Sequence, residues 1–141
     1  SNANGLSLEQ KVGSVTLEPG YFGIRGDDLL FQELTTGINH PLGASLELCS
    51  CQFAGESDTA YLKAVTTLEQ TKTVLYALYN ATWHDRDNRP FDGQELNVVI
   101  KQPVYENLTV AFKGGAGFRD YKDGTANTTD IDLRMFITYA F

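Results

Sequence analysis

The stretch that decides the fold is the end of the sequence, Asp130-Ile131-Asp132-Leu133-Arg134-Met135-Phe136-Ile137-Thr138-Tyr139-Ala140-Phe141. Every second residue, counted back from the last one, is large and apolar: Phe141, Tyr139, Ile137, Met135, Leu133 and Ile131. The positions between them are small or charged, except for Phe136. A period of two predicts an extended strand whose alternate side chains face opposite sides. We therefore predict a closing strand with one continuous apolar face.

Ile137, Tyr139 and Phe141 form an alternating row that ends on an aromatic residue. This row resembles the C-terminal signature of bacterial outer-membrane β-barrel proteins. An alternating strand of about 9–11 residues, when tilted, is long enough to cross the hydrocarbon layer. The resemblance implies a small barrel in the outer membrane of a Gram-negative cell envelope. It also implies two partners, the outer-membrane lipid and the barrel-assembly machinery.

Alternation elsewhere in the chain predicts further strands. Pro19-Gly20 interrupts the first of them, which we interpret as an edge strand, a bent strand or two short strands. The segment 73–83 is apolar on both parities, as expected in a small filled barrel or in the middle of a soluble sheet. With the closing strand, about eight strands follow one another, so the predicted fold is an all-β, antiparallel up-and-down β-barrel. The other predicted strands span residues 12–25, 29–38, 44–53, 59–68, 73–83, 94–101 and 107–119.

The connections between these strands divide into two sets. Short turns near residues 40–41, 70–71 and 103–104 are expected at one end of the barrel, together with both chain termini. The loops at 55–56, 84–93 and 120–130 are expected at the other end, and two of them are longer. Short turns on the side of the termini and longer polar loops opposite are typical of outer-membrane barrels.

The chain has 141 residues, which fits a single domain. Ser1-Asn2-Ala3 resembles the remnant of an expression tag, and residues 1–11 are interpreted as this remnant plus an N-terminal arm, either a short helix or a loose segment. Residues 12–141 are the predicted barrel domain.

Composition excludes some classes of function. The formal charge of −7 and the absence of a basic cluster argue against a nucleic-acid partner. The sequence contains no run of 18 or more apolar residues, so it does not predict a helical membrane span. The mean hydropathy of −0.24 does not decide between a membrane barrel and a soluble one, because the strands of both alternate.

The sequence provides no recognisable catalytic or metal-binding motif. Cys49 and Cys51 are compatible with a redox pair, half a metal site, a structural bridge or two small buried side chains. The acidic loop that begins at His84 lacks the ligand spacing of a calcium-binding loop. We therefore expect a protein that is not an enzyme and that has no cofactor, no metal and no catalytic residue.

Four charged residues are expected inside the barrel. Asp132 and Arg134 share one face of the closing strand, and Lys101 and Lys113 lie on the corresponding face of preceding strands. A barrel of about eight strands leaves no open channel, so these charges are predicted to form an interior network rather than a pore.

Two functional hypotheses follow. The first is a non-enzymatic outer-membrane barrel with a structural or surface-interaction role. The alternative is a soluble envelope barrel, periplasmic or secreted, that binds a small apolar ligand in the manner of lipocalins. The membrane hypothesis needs Ile131, Leu133, Ile137 and Phe141 in lipid and Arg134 inside; the soluble hypothesis needs the same apolar row in the core.

Overall fold

A computed structural model describes residues 2–25, 57–84 and 91–141. These residues form one antiparallel sheet of eight strands, and the part of the chain described contains no helix long and apolar enough to cross a membrane. The predicted strands 29–38 and 44–53, Cys49, Cys51 and His40 lie outside the described residues. The strands are β1 (Asn2–Ser7), β2 (Gln10–Val12), β3 (Val15–Arg25), β4 (Ser57–Leu68), β5 (Thr73–His84), β6 (Phe91–Tyr105), β7 (Leu108–Tyr121) and β8 (Thr128–Tyr139).

The order of the strands in the sheet follows their order in the sequence. The path is β1-β3-β4-β5-β6-β7-β8, and β2 also pairs with β3. This confirms the predicted all-β, antiparallel up-and-down architecture. Within the described residues, β1 and β8 are the two edges of the sheet. Both edge strands run in the same direction, so a direct pairing between them would be parallel.

The two ends of the sheet differ in their connections. At the turn end, where β4 ends and β5 begins, four residues from Glu69 to Lys72 form the connection, and Lys72 has a positive φ of 57°. At the same end Glu106 and Asn107 alone connect β6 to β7. At the opposite end, the loop end, residues 122–127 connect β7 to β8. The predicted division into short turns and longer connections therefore holds for these segments.

The predicted turn at Pro103-Val104 is wrong. Both residues belong to β6, which continues to Tyr105, and Pro103 pairs with Thr109 of β7. The register shifts between Pro103 and Tyr105. A bulge tolerates a proline because the local ladder is already interrupted there, so the proline does not end the strand.

The predicted short helix or loose segment near the N-terminus is wrong, because Asn2–Ser7 and Gln10–Val12 are strands of the sheet. Asn2 pairs with Arg25 and Ser7 with Gly20 in β1, and Gln10 pairs with Leu17 in β2. This direction places Asn2 at the loop end, whereas we expected both chain ends at the turn end. The segment has no clear period of its own, and its strand character depends on pairing with β3.

Burial alternates along the strands of this sheet, and the buried face carries polar as well as apolar side chains. Along β6, Glu95, Asn97 and Val99 are buried, whereas Leu96 and Val98 between them are exposed. We call the face that carries Glu95 the inner face and the face that carries Val98 the outer face. The inner face also carries a small apolar core of Tyr76, Leu78 and Val99, with Tyr61 and Val65 packed against it.

Candidate functional site: the two faces of the sheet

The outer face carries apolar residues in register across neighbouring strands. Val98 of β6 pairs with Ala77 of β5 on one side and with Gly114 of β7 on the other, and Gly114 pairs with Leu133 of β8. All four positions belong to the outer face. Large exposed patches of this kind are rare on monomeric soluble proteins and are informative about function. The large apolar side chains exposed on this face of β4 to β8 are Leu62, Leu68, Tyr79, Trp83, Leu96, Val98, Ile100, Phe112, Phe118, Ile131, Leu133, Met135, Ile137 and Tyr139.

The length of the apolar band along β8 can be compared with the apolar height of an outer-membrane barrel. It extends along β8 from Thr129, which pairs with Phe118, to Tyr139, which pairs with Leu108. These ten residue steps span about 33 Å along the strand, and a strand tilt of about 40° projects that length onto about 25 Å. The apolar band of outer-membrane barrels is about 25 Å tall.

Polar and aromatic side chains border the band at both ends. On β6, Gln94 and Gln102 flank the apolar run of Leu96, Val98 and Ile100. At the loop end the Tyr79 hydroxyl donates to Gln94 Oε1 at 2.9 Å. At the turn end the Gln102 amide donates to the Pro103 carbonyl oxygen at 2.8 Å. Borders of this composition suit the interface between hydrocarbon and water.

The inner face buries polar and charged groups. Glu95 is 0% exposed, Asn97 is 1% exposed and Lys113 is 4% exposed. Asn97 Nδ2 donates to Glu95 Oε1 at 2.6 Å. Glycines on β7 accommodate this pair, because Glu95 is opposite Gly117 and Asn97 is opposite Gly115. Strand glycines often mark sites where another group approaches the backbone closely.

The four residues of the predicted interior network take different positions on the sheet, and the network itself stays a prediction. Lys113 and Arg134 are directly opposite each other on β7 and β8, with Lys113 buried and Arg134 partly buried. Lys101 occupies the same parity of β6, opposite Ala111, and is exposed near the turn end. Asp132 is opposite Gly115 in the backbone ladder, but its side chain is outside the described part of the structure.

The sequence does not reveal a further ion pair on the same inner face, between β3 and β4. Lys63 Nζ lies 2.5 Å from Glu18 Oε2, and both side chains are mostly buried. The two residues are direct partners in the β3–β4 ladder. The alternation of β6 already places Glu95 and Asn97 on one face with Lys101, so those two could have been found from the sequence. Glu18 follows a less regular pattern, and its partner depends on register.

The predicted C-terminal signature lies on or next to the outer face of β8. Ile137 and Tyr139 are exposed there, and the Tyr139 and Phe141 rings meet edge to face with centroids 4.9 Å apart. Ile131 and Leu133 of the same row are also exposed, and Leu133 keeps 79% of its surface accessible. The row that the soluble hypothesis requires in the core is therefore on the surface of the sheet.

An aromatic side chain covers a glycine on the inner face near β1. Gly20 and Tyr61 are ladder partners in β3 and β4. A Cβ atom on Gly20 would lie 2.1 Å from Tyr61 Cζ and 2.3 Å from its hydroxyl oxygen. A side chain at position 20 would therefore require the Tyr61 ring to move away from β3.

Comparison with protein-family models, with curated proteins and with solved structures finds no match to this chain.

Proposed function

We propose that this protein is a non-enzymatic β-barrel of the bacterial outer membrane, with a structural or surface-interaction role. The observation that supports the proposal is that apolar side chains are exposed on the outer face of the sheet while charged side chains are buried on its inner face. Apolar side chains cover the outer face of every long strand from β4 to β8, while Glu95 and Lys113 are buried on the inner face. Strands of transmembrane barrels alternate in this sense, with apolar residues outward and polar residues inward.

The energetics of the outer face support a lipid environment. Fully burying one large apolar side chain contributes about 1.5–3 kcal/mol. Side chains that are about half exposed, such as Leu96 and Val98, would therefore gain about 1 kcal/mol each on entering hydrocarbon. Over more than ten such residues the gain is on the order of 10 kcal/mol, which is comparable to the whole stability of a typical domain.

The inner face argues against the lipocalin-like alternative. A pocket for a small apolar ligand is lined mainly by apolar and aromatic side chains. Here the most deeply buried large side chains of the inner face include Glu95, Asn97, Thr59 and Thr82, together with Leu78. The Thr59 and Thr82 hydroxyls lie 2.8 Å apart and share a hydrogen bond. A polar interior of this kind has little affinity for an apolar guest.

A membrane location also requires paired strand edges. Backbone groups in hydrocarbon have no water to bond to, so open sheet edges do not persist there. In the proposed state the sheet is therefore closed between β1 and β8. If these two strands meet directly, the closing pair is parallel, because β1 and β8 run in the same direction.

The first experiment is refolding from urea into phosphatidylcholine vesicles whose acyl chains carry bromine at defined depths. Trp83 is the single tryptophan of the chain and lies at the loop-end border of the band, so its fluorescence reports insertion without labelling. We expect quenching by all brominated lipids, strongest for bromine close to the head group. We also expect aggregation in buffer without detergent or lipid, because the apolar band is then exposed to water.

The control is the same protein kept unfolded in undiluted urea and mixed with the same vesicles. Unfolded chains should show no depth-dependent quenching. A monodisperse protein in detergent-free buffer, with Trp83 fluorescence unaffected by brominated vesicles, would contradict the proposal.

A further inference from the structure

A cavity opens at the loop end of the sheet, where the apolar band meets the polar loops. Its volume is about 380 Å³, within the range of small-ligand sites. Its lining includes the outer-face row Ala81, Gln94 and Phe118, which are ladder neighbours on β5, β6 and β7. Trp83 also lines it, and the Trp83 and Phe118 side chains are 50% and 47% exposed.

Among the described residues, four charged side chains line the polar side of the cavity, and their formal charges sum to zero. Lys122 Nζ lies 2.5 Å from Asp120 Oδ2 and 3.8 Å from Asp92 Oδ2, and Arg119 is the second cation. The hydrogen bond from Lys122 lowers the pKa of the Asp120 carboxyl, which lies above the apolar band, so this group stays an acceptor at neutral pH. A site whose formal charges sum to zero has no excess charge that would select an anionic or a cationic head group.

The remaining groups are suited to hydroxyls. The Tyr79 hydroxyl donates to Gln94 Oε1 at 2.9 Å, which orients the amide and leaves its NH₂ group to donate to a ligand. The carboxylates of Asp92 and Asp120 accept from hydroxyl groups. The exposed Trp83 ring provides a flat apolar surface against which the C–H face of a sugar ring packs.

We infer that this cavity binds the uncharged sugar head group of a glycolipid whose acyl chains lie along the apolar band. The inference rests on the proposed membrane location, since only an amphiphile at the interface presents its head group beside Trp83 and its chains beside Tyr79 and Leu96. Gln94 and Asp92 hold the sugar hydroxyls, and Trp83 packs on the sugar ring.

The test compares three brominated lipids, each diluted at equal bromine content into phosphatidylcholine vesicles that contain the refolded protein. The lipids are a glucosyl diacylglycerol, a phosphatidylglycerol and a phosphatidylcholine. Two additional hydrogen bonds to the sugar correspond to an enrichment of the glycolipid beside Trp83 on the order of tenfold. We therefore expect excess quenching of Trp83 by the glycolipid, saturating as its mole fraction rises.

Two substitutions in the cavity and one matched control complete the experiment. Gln94→Ala and Asp92→Asn each remove or weaken one of these two hydrogen bonds and should each reduce the enrichment to about threefold, while the protein still inserts. The control Gln102→Ala removes the corresponding amide of β6 at the turn-end border of the apolar band. This variant should keep the full excess quenching by the glycolipid. Support for the inference requires this complete pattern.

Other outcomes overturn the inference in distinguishable ways. Equal quenching by all three lipids with normal insertion rejects the glycolipid site and leaves the membrane proposal intact. Preferential quenching by phosphatidylglycerol rejects an uncharged head group. An undiminished glycolipid preference in both cavity variants rejects this cavity as the site. Failure of the unmodified protein to insert rejects the membrane proposal and the glycolipid site together.

Discussion

Val98→Arg tests the outer face at its most informative position. Val98 is 43% exposed and lies in the middle of the apolar run of β6, with Gln94 and Gln102 four residues away on either side. Those four residues correspond to about 13 Å along the strand in each direction. The arginine side chain would therefore be near the middle of the hydrocarbon layer.

The expected cost can be worked out for both environments. An arginine on the lipid face of a barrel costs about 2–4 kcal/mol near the midplane and about 0–1 kcal/mol near the interface. In water, a substitution at an exposed position without special contacts stays within about 0.5 kcal/mol. The membrane account therefore predicts a loss in the folding equilibrium of about 30-fold to several hundred-fold for Val98→Arg.

The assay is reversible urea unfolding in phosphatidylcholine vesicles, followed by Trp83 fluorescence. The control is Thr129→Arg, because Thr129 is exposed on the outer face in the row that borders the band at the loop end. We expect the control to lose at most about 1 kcal/mol. Equal free energies of unfolding for Val98→Arg, Thr129→Arg and the unmodified protein would refute the reasoning.

Two pairs of substitutions and one titration test the inner face and the loop end. Gly20→Ala should destabilise the sheet by about 1–3 kcal/mol, since the new methyl group overlaps the Tyr61 ring, and truncating Tyr61 to Ala in the same chain should recover part of that loss in a double-mutant cycle. Lys63→Glu alone should cost about 1–3 kcal/mol because it places two carboxylates together in a partly buried site, and adding Glu18→Lys should restore most of the loss; an undiminished loss in the double variant would contradict the ion pair. Because the pKa of Asp120 is lowered, its contact with Lys122 contributes stability at pH values above the ordinary 3.8, and this stability is lost as the pH falls through the lowered value. An NMR titration of the Asp120 carboxyl should report the lowered pKa. An ordinary pKa would contradict the contact.

The regular strands could be predicted from the sequence because their local patterns are strong. The closing strand was predicted for residues 130–141 and is observed as Thr128–Tyr139, and the strand predicted for 73–83 is observed as Thr73–His84. The closing strand alternates, whereas residues 73–83 are apolar on both parities, and each of these local patterns favours a strand. Their ends differ by one or two residues because the ladder with the adjacent strand, rather than the local pattern, sets the boundary.

The segments that the sequence misjudged depend on distant partners. Residues 2–12 have no period of their own, and their pairing with β3 makes them strands. Pro103 looks like a turn residue by its local chemistry, yet a bulge opposite Thr109 keeps it inside β6. Both results concern register, which a period of two does not encode.

In the candidate site, too, some features follow from the local sequence pattern and others from the register between strands. Alternation predicted the parity of Lys113 and Arg134, and the two residues are indeed ladder partners. It did not identify Glu95 as fully buried, because that burial depends on Asn80 and Gly117 being its ladder neighbours in β5 and β7. The sequence therefore predicts which face a residue occupies, while the depth at which it is buried follows from the register of three strands.

The most direct test of the central claim measures which methyl groups touch the acyl chains. Val98 and Val99 are consecutive residues on opposite faces, and Ile100 and Leu78 extend the same comparison. In a detergent micelle, nuclear Overhauser effects from the acyl-chain protons should reach the methyl groups of Val98 and Ile100 and be absent at those of Val99 and Leu78. The reverse pattern, or equal contact on both faces, would contradict an outer face that lies in lipid.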